Sequence, residues 1–257
     1  MNFTKSECLL LKQKSVLHTV LELQEKHDLP IHRQEIINVM KDMPPHREFN
    51  LPEIGMSLVG NVTKKDDPVT VLTASLLTID KFPDDWIHVY TDGSATKATS
   101  KAGYGIYIEY PDGSSDEVSK ACGENSSNYD AEVAAIENTL ILLKAQMQTF
   151  PVRKRNIVIF TDAMSALESL EEDPMNKPEL KLIIMNGHEL METCDVKIFM
   201  QWIPGHSDTP GNDKADKLAK KGSEQSQPQT RATYKTVKTI LRANIKGEWL
   251  REWTTAT

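Results

Sequence analysis

The spacing of apolar and polar positions changes several times along the chain, and each change marks an element. From Lys5 to His27, Leu10, Val16, Leu17, Val20 and Leu21 fall at helical spacing, and Pro30 ends the run. Pro44, Pro45, Pro52 and Pro68 then interrupt a polar stretch up to Asp85, so residues 1–83 read as a helical and loop connector. Alternation begins at Trp86: WIHVYTD and GYGIYIEY are period-two strands, and SDEVSKACG follows across the turn Pro111–Ser114. The short joins make these three an antiparallel meander.

Tyr129 to Thr149 returns to helical period, with Val133, Ile136, Leu140, Leu143 and Met147 on one face and Asn128 placed to cap its start. NIVIFTD is a short apolar run, the pattern of a central strand buried on both faces. AMSALESL and Pro178–Thr193 read as helices, VKIFMQWIP as a fifth strand, and Asn212–Lys221 as a last helix that Gly222 ends. The order βββ-α-β-αα-β-α predicts an α/β fold: a mixed five-stranded sheet flanked by helices, over residues 84–223. Residues 224–257 read as a linker (Ser223–Thr230) and a basic helical tail. In that tail Val237, Ile240, Leu241 and Ile245 share a face, Lys235, Lys238, Arg242 and Lys246 lie elsewhere, and Trp249 and Trp253 are one turn apart.

Composition narrows the class. At 257 residues and 39% hydrophobic the chain can bury a sizeable core. No apolar run approaches the roughly 20 residues that span a bilayer, and the apolar stretch near the start is too short for a secretory leader. Cys8, Cys122 and Cys194 form no close pair, which fits free thiols in a reducing, intracellular compartment, cytoplasm or nucleus. Charge is unevenly spread around a net −7: residues 86–219 hold 12 basic and 21 acidic groups, whereas residues 220–257 hold 8 basic and 3 acidic. The middle segment therefore cannot hold a polyanion by Coulomb attraction alone.

Four of its acids stand at predicted element boundaries: Asp92 in TDGS, Glu132 in DAEVAAI, Asp162 in FTDA and Asp216 in GNDKAD. Singly, each has an ordinary structural reading, such as a turn aspartate, a helix-dipole partner or a solvated helix face. Together they place Asp92 and Asp162 at the ends of neighbouring strands, Glu132 in the first turn of the adjoining helix, and Asp216 in the last one. Converging carboxylates repel one another unless cations bind them, and hard oxygen donors select Mg²⁺ or Mn²⁺. Two such ions drive in-line attack on a phosphodiester. His206, in the Gly/Pro loop WIPGHSDTPG, could move a proton or help release product. Gly103 and Gly105 would let a substrate backbone come close.

TDGS, NYDAEVAAI, FTDA and WIPGHSDTPGNDKADKLAK, in that order, resemble the type 1 ribonuclease H family. The GNxxAD form is similar to the ribonuclease H domains of retrotransposon polyproteins, which are linked to a reverse transcriptase. The resemblance implies an endonuclease that cuts the RNA strand of an RNA/DNA hybrid and leaves a 5′-phosphate. It also implies two Mg²⁺ ions (Mn²⁺ substituting) on Asp92, Glu132, Asp162 and Asp216, with Asp92 touching both and His206 as the mobile-loop histidine. Substrate contacts would come from Gly93, Ser94, Ser127 and Asn128, the last two in the hybrid's minor groove. The expected partners are the hybrid and a reverse transcriptase in cis or in trans, with no membrane. Two departures stand out. Ala163 and Met164 replace a polar pair that follows FTD in the family, and acidic Glu171, Glu172 and Asp173 stand where bacterial relatives carry a basic protrusion. A non-catalytic nucleic-acid-binding or scaffold module of retroelement origin is the alternative.

Overall fold

The computed structural model describes residues 22, 25, 26, 49–96, 101–150, 154–172, 177–228 and 234–255. The helix expected over Lys5–His27 therefore lies almost wholly outside the described residues, as do Pro44 and Pro45. The chain divides into two compact units, residues 37–230 and residues 1–36 with 231–257. No helix among the described residues is long and apolar enough to cross a membrane.

The larger unit is built on a six-stranded sheet: β1 (Glu53–Gly55), β2 (Ile87–Thr96), β3 (Lys101–Glu109), β4 (Ser115–Gly123), β5 (Ile157–Thr161) and β6 (Ile198–Trp202). They lie in the order β1-β6-β5-β2-β3-β4. β2, β3 and β4 form the antiparallel meander, and β2, β5, β6 and β1 run parallel. The α/β class and mixed sheet are as the pattern predicts, but there are six strands instead of five. The extra strand comes from the stretch read as connector, where three residues are too few to show a period.

Helices α1 (Pro68–Ile79), α2 (Asn128–Thr149), α3 (Met164–Glu172), α4 (Lys181–Cys194) and α5 (Pro210–Ser223) complete this unit. Pro68 does not break the chain: it sits in the first turn of α1, where its missing N–H costs nothing, and Asp67 caps that turn by accepting from the Thr70 amide at 3.0 Å. The core lies between sheet and helices. Val133, Ile136, Leu140, Leu143 and Met147 of α2 are all buried, and so is every residue of β5. Phe82, between α1 and β2, packs edge-on against Phe160 and Phe199.

Two glycine expectations need correction. A Cβ on Gly103 or Gly105 would run into the backbone of α5, at Gly222–Ser223 and at Ala215 and Ala219 respectively. These glycines therefore admit a helix to the face of β3, not a substrate. Gly222 lies inside α5, which runs on to Ser223. The polar segment after α5 is also no free linker: Gln225 Nε2 donates to the Ser119 carbonyl (3.0 Å), and the Glu124 amide donates to the Pro228 carbonyl (3.1 Å).

In the second unit the described element is α6 (Tyr234–Thr255), matching the expected tail helix. Ile245, Trp249, Leu250 and Trp253 are exposed on it, and the two indole rings lie 5.5 Å apart. The side chains of Lys235, Val237 and Ile240 lie outside the described set.

Replacing Gly105 by Ala should destabilise the fold by about 1–3 kcal/mol, the range for overpacking against groups that cannot move aside. Denaturant unfolding measures this; a loss under roughly 0.5 kcal/mol, the scale of a surface substitution, would show that the α5–β3 contact is not tight.

Candidate active site

β2 does not stop at TDGS. It runs through to Thr96, with Asp92 opposite Gly105 and Gly93 opposite Tyr104 on β3. Asp92 is therefore inside a strand, not at its end. β5 is the shorter neighbour. It ends at Thr161, level with Thr91, and Asp162 leaves the sheet beside Asp92.

Alternation along β2 sends consecutive side chains to opposite faces. Asp92 shares the face of Gly105, where α5 packs and Asp216 is carried. Gly93 faces the other way, against the Ala131 and Glu132 backbone, so its missing side chain lets the start of α2 close on the strand. Gly205 lies against the Asp162 carboxylate, which a Cβ there would have to displace. Tight backbone approaches thus draw α2 and α5 onto β2 and β3.

The proximity shifts the carboxyls' proton affinities. Asp92 is buried, 7% exposed. Its carboxyl is held well above the usual range, first by burial and then by the charges of Asp162 and Asp216, with Glu132 adding less. The Gly93 amide, donating to Oδ1 at 2.8 Å, offsets part of this. Glu132 is pushed up to about 7 by burial and by Asp162, against the Asn128 amide group and Lys64. Asp162 is raised by burial, while Lys64 and then His206 pull it back.

Among the described residues, no group of three or more His, Cys, Asp or Glu side chains is gathered closely enough to hold a metal ion. Two of the four acids are engaged locally: Glu132 Oε1 accepts from Asn128 Nδ2 (2.6 Å) and Asp216 Oδ2 from Lys220 Nζ (2.6 Å). Asp162 Oδ1 is buried with no partner. Such an orphan is costly unless something fills its lone pairs. An all-oxygen, mutually repelling donor set with one unsatisfied member fits a hard divalent cation in chemistry.

His206 is exposed and takes a left-handed backbone (φ 55°), as does Asp208. Ser207 Oγ donates to the Pro204 carbonyl at 2.8 Å and lies 2.9 Å from Thr209 Oγ1. Ser127, not Asn128, caps α2. Its Oγ accepts from the Asp130 amide (3.1 Å), while Asp130 Oδ2 accepts from the Ser127 amide (2.8 Å), a reciprocal capping box. Asn128 instead orients Glu132. Ser94 pairs with Gly103 in the sheet. Ala163 is buried and Met164 packs on the core.

Lys64 is the site residue that sequence reasoning missed. Its ammonium lies 5.4 Å from the centre of the Trp202 ring and bears on both Asp162 and Glu132. It sits in the stretch taken for connector, where nothing separates it from any other surface lysine.

A mixed sheet with buried Asp92 inside β2 and half-buried Asp162 just past the end of β5 defines an α/β protein with a cluster of oxygen donors on its central strands. The RNase H family model matches residues 84–224, more than half of the chain, and the chain belongs to that family. It is 25% identical over 150 residues to ribonuclease H of Bordetella avium (strain 197N), covering 54% of this chain and 92% of that protein. A solved structure of LC11-RNase H1 in complex with an RNA/DNA hybrid is similar over 54% of this chain and 96% of that one (23% identity, TM-score 0.44). A prototype foamy virus protease–reverse transcriptase structure is similar over 57% of this chain and 22% of that one (24% identity, TM-score 0.43).

These shifts fix a stability sign. A carboxyl whose folded pKa exceeds its unfolded value stabilises fully below the unfolded value and loses that contribution as pH rises through the folded one. For Glu132 the window runs from 4.5 to about 7, and Asp92 and Asp162 act in the same direction. In EDTA, the Tm should fall from pH 5 to pH 7.5. Asp92→Asn should flatten that fall and raise the Tm at pH 7.5 by about 3–6 °C, equivalent to 1–2 kcal/mol. Calorimetric scans showing the same pH profile for both proteins would contradict the assigned repulsion.

Proposed function

We propose that this chain is a metal-dependent endonuclease that hydrolyses the RNA strand of RNA/DNA hybrids, leaving a 5′-phosphate. The observation that carries the reading is Asp92 buried beside Asp162 and Asp216, with Asp162 Oδ1 unpartnered, inside the segment that matches the RNase H family. Asp92, Glu132, Asp162 and Asp216 would hold two Mg²⁺ ions, or Mn²⁺. When bound, such ions neutralise the reacting phosphate and make a bound water acidic enough to supply hydroxide at neutral pH.

The rest falls to the chain's own groups. Asn128 holds Glu132 from the side, and Lys220 holds Asp216 until the cluster needs it. His206, exposed at the rim, would carry protons between solvent and the cleft. Contacts from Gly93, Ser94, Ser127 and Asn128 to 2′-hydroxyls in the shallow minor groove would select RNA over DNA. The catalytic module is assigned to residues 84–223, with residues 1–83 and 224–257 flanking it. Because residues 86–219 are acidic, grip on the hybrid would come from cations outside that span, or from a reverse transcriptase in cis or in trans.

A non-catalytic binding module is the second reading, favoured by the apolar Ala163 and Met164 directly after Asp162. Hybrid cleavage separates the two. The purified chain should cut the RNA strand of a hybrid in Mg²⁺, leave duplex DNA intact and stop in EDTA. Asp162→Asn should lower the rate by roughly 10²–10³ or more, the scale of losing one group that serves developing charge. A folded Asp162→Asn protein cutting at the normal rate would rule out the assigned site.

A further inference from the structure

We infer that Lys64 is a substrate-positioning residue of this site, a cation brought in by the segment preceding the family-matched module to hold a phosphate of the bound strand beside Asp162 and Glu132. The inference rests on the hybrid-cleaving reading above.

The segment carrying Lys64 is built into the fold. Glu53–Gly55 adds to the sheet edge opposite Phe199–Gln201, Gln201 Nε2 donates to the Ser57 carbonyl (3.2 Å), and the Val59 amide donates to Thr78 Oγ1 (3.0 Å). Leu58 is buried between these anchors. The chain then turns at Thr63–Asp66. Asp66 Oδ2 accepts from the Thr63 amide (2.7 Å) and hydroxyl (3.0 Å), and the Asp66 amide returns a bond to the Thr63 carbonyl (3.1 Å). Asp67 immediately caps α1. Lys64 stands inside this turn, its backbone fixed on both sides and its side chain exposed.

Its ammonium lies close to the strand end that leads into Asp162. Trp202 ends β6 level with Thr161, one residue before Asp162, and Lys64 Nζ lies over its ring at 5.4 Å. That contact is weak at an exposed site, so the ammonium can leave the ring for a stronger partner. The other lysine at the carboxylates, Lys220, is bound to Asp216. Phosphates flanking the scissile one must pass a surface with 21 acidic and 12 basic residues over 86–219, and a tethered ammonium at the rim lowers that barrier.

The experiment is single-turnover cleavage of an RNA/DNA hybrid by the full chain, at graded hybrid and KCl concentrations, with Tm recorded for each variant. Lys64→Ala should raise the half-saturating hybrid concentration about 3–10-fold at low salt and reduce the slope of log affinity against log salt by about 0.7–0.9, one phosphate contact. The maximal rate should stay within about threefold, since the reacting groups are intact. Lys64→Arg should restore both affinity and slope, which a purely structural role would not require. Unchanged affinity and slope in Lys64→Ala, or a loss confined to Tm or to maximal rate, would overturn the inference. If that occurs while the parent chain cleaves and Asp162→Asn does not, this inference alone falls. If the parent chain neither binds nor cleaves hybrid, the functional reading falls with it.

Discussion

Several carboxylates are held within one another's field, Asp92 inside β2 and Asp162 just past the end of β5, and the site is shaped by that repulsion. Burial raises the cost of charging Asp92, and Asp162 and Asp216 raise it further. A fold selected only for stability would separate these groups or neutralise them. Here the backbone forces them together: α2 closes on Gly93, and α5 on Gly103 and Gly105. The closeness is imposed by main-chain packing, which side-chain rotation cannot relieve. Such stored electrostatic cost is characteristic of functional sites, where stability is given up for chemistry.

The chain answers the repulsion with local partners. Asn128 donates to Glu132, Lys220 to Asp216, and the Gly93 amide to Asp92, while Lys64 and His206 favour the charged form of Asp162. Among the described residues Asp162 Oδ1 still has no partner. Partners come from both sides of the sheet and from the edge strand. Residues 53–79, which precede the family-matched segment, therefore help shape the cleft.

Long periodic elements were legible from residues alone. The apolar faces of α2 and β5 follow directly from spacing, and the antiparallel meander β2–β4 follows from its short turns. Short or non-periodic features were hidden. β1 is three residues long, Pro68 reads equally as a breaker or a first-turn residue, and Gly103 and Gly105 permit close approach without indicating by what. Ser127 and Asn128 are both good caps, and only the reciprocal bond with Asp130 separates them. Of the site, the four acids could be listed from motifs and element placement. Their burial, their ranking by shift and the arrival of Lys64 depend on packing between segments far apart in the chain, which no local pattern encodes.

On the proposed reading, carboxyls that burial and mutual repulsion keep protonated release protons to solvent as a divalent cation binds. Calorimetric titration of the chain with Mg²⁺ at pH 7, in two buffers of different ionisation enthalpy, counts those protons directly. Saturable binding with net proton release, reduced in Asp92→Asn, is the predicted result. Binding with no proton release, or no saturable Mg²⁺ binding to the folded chain, would contradict the account.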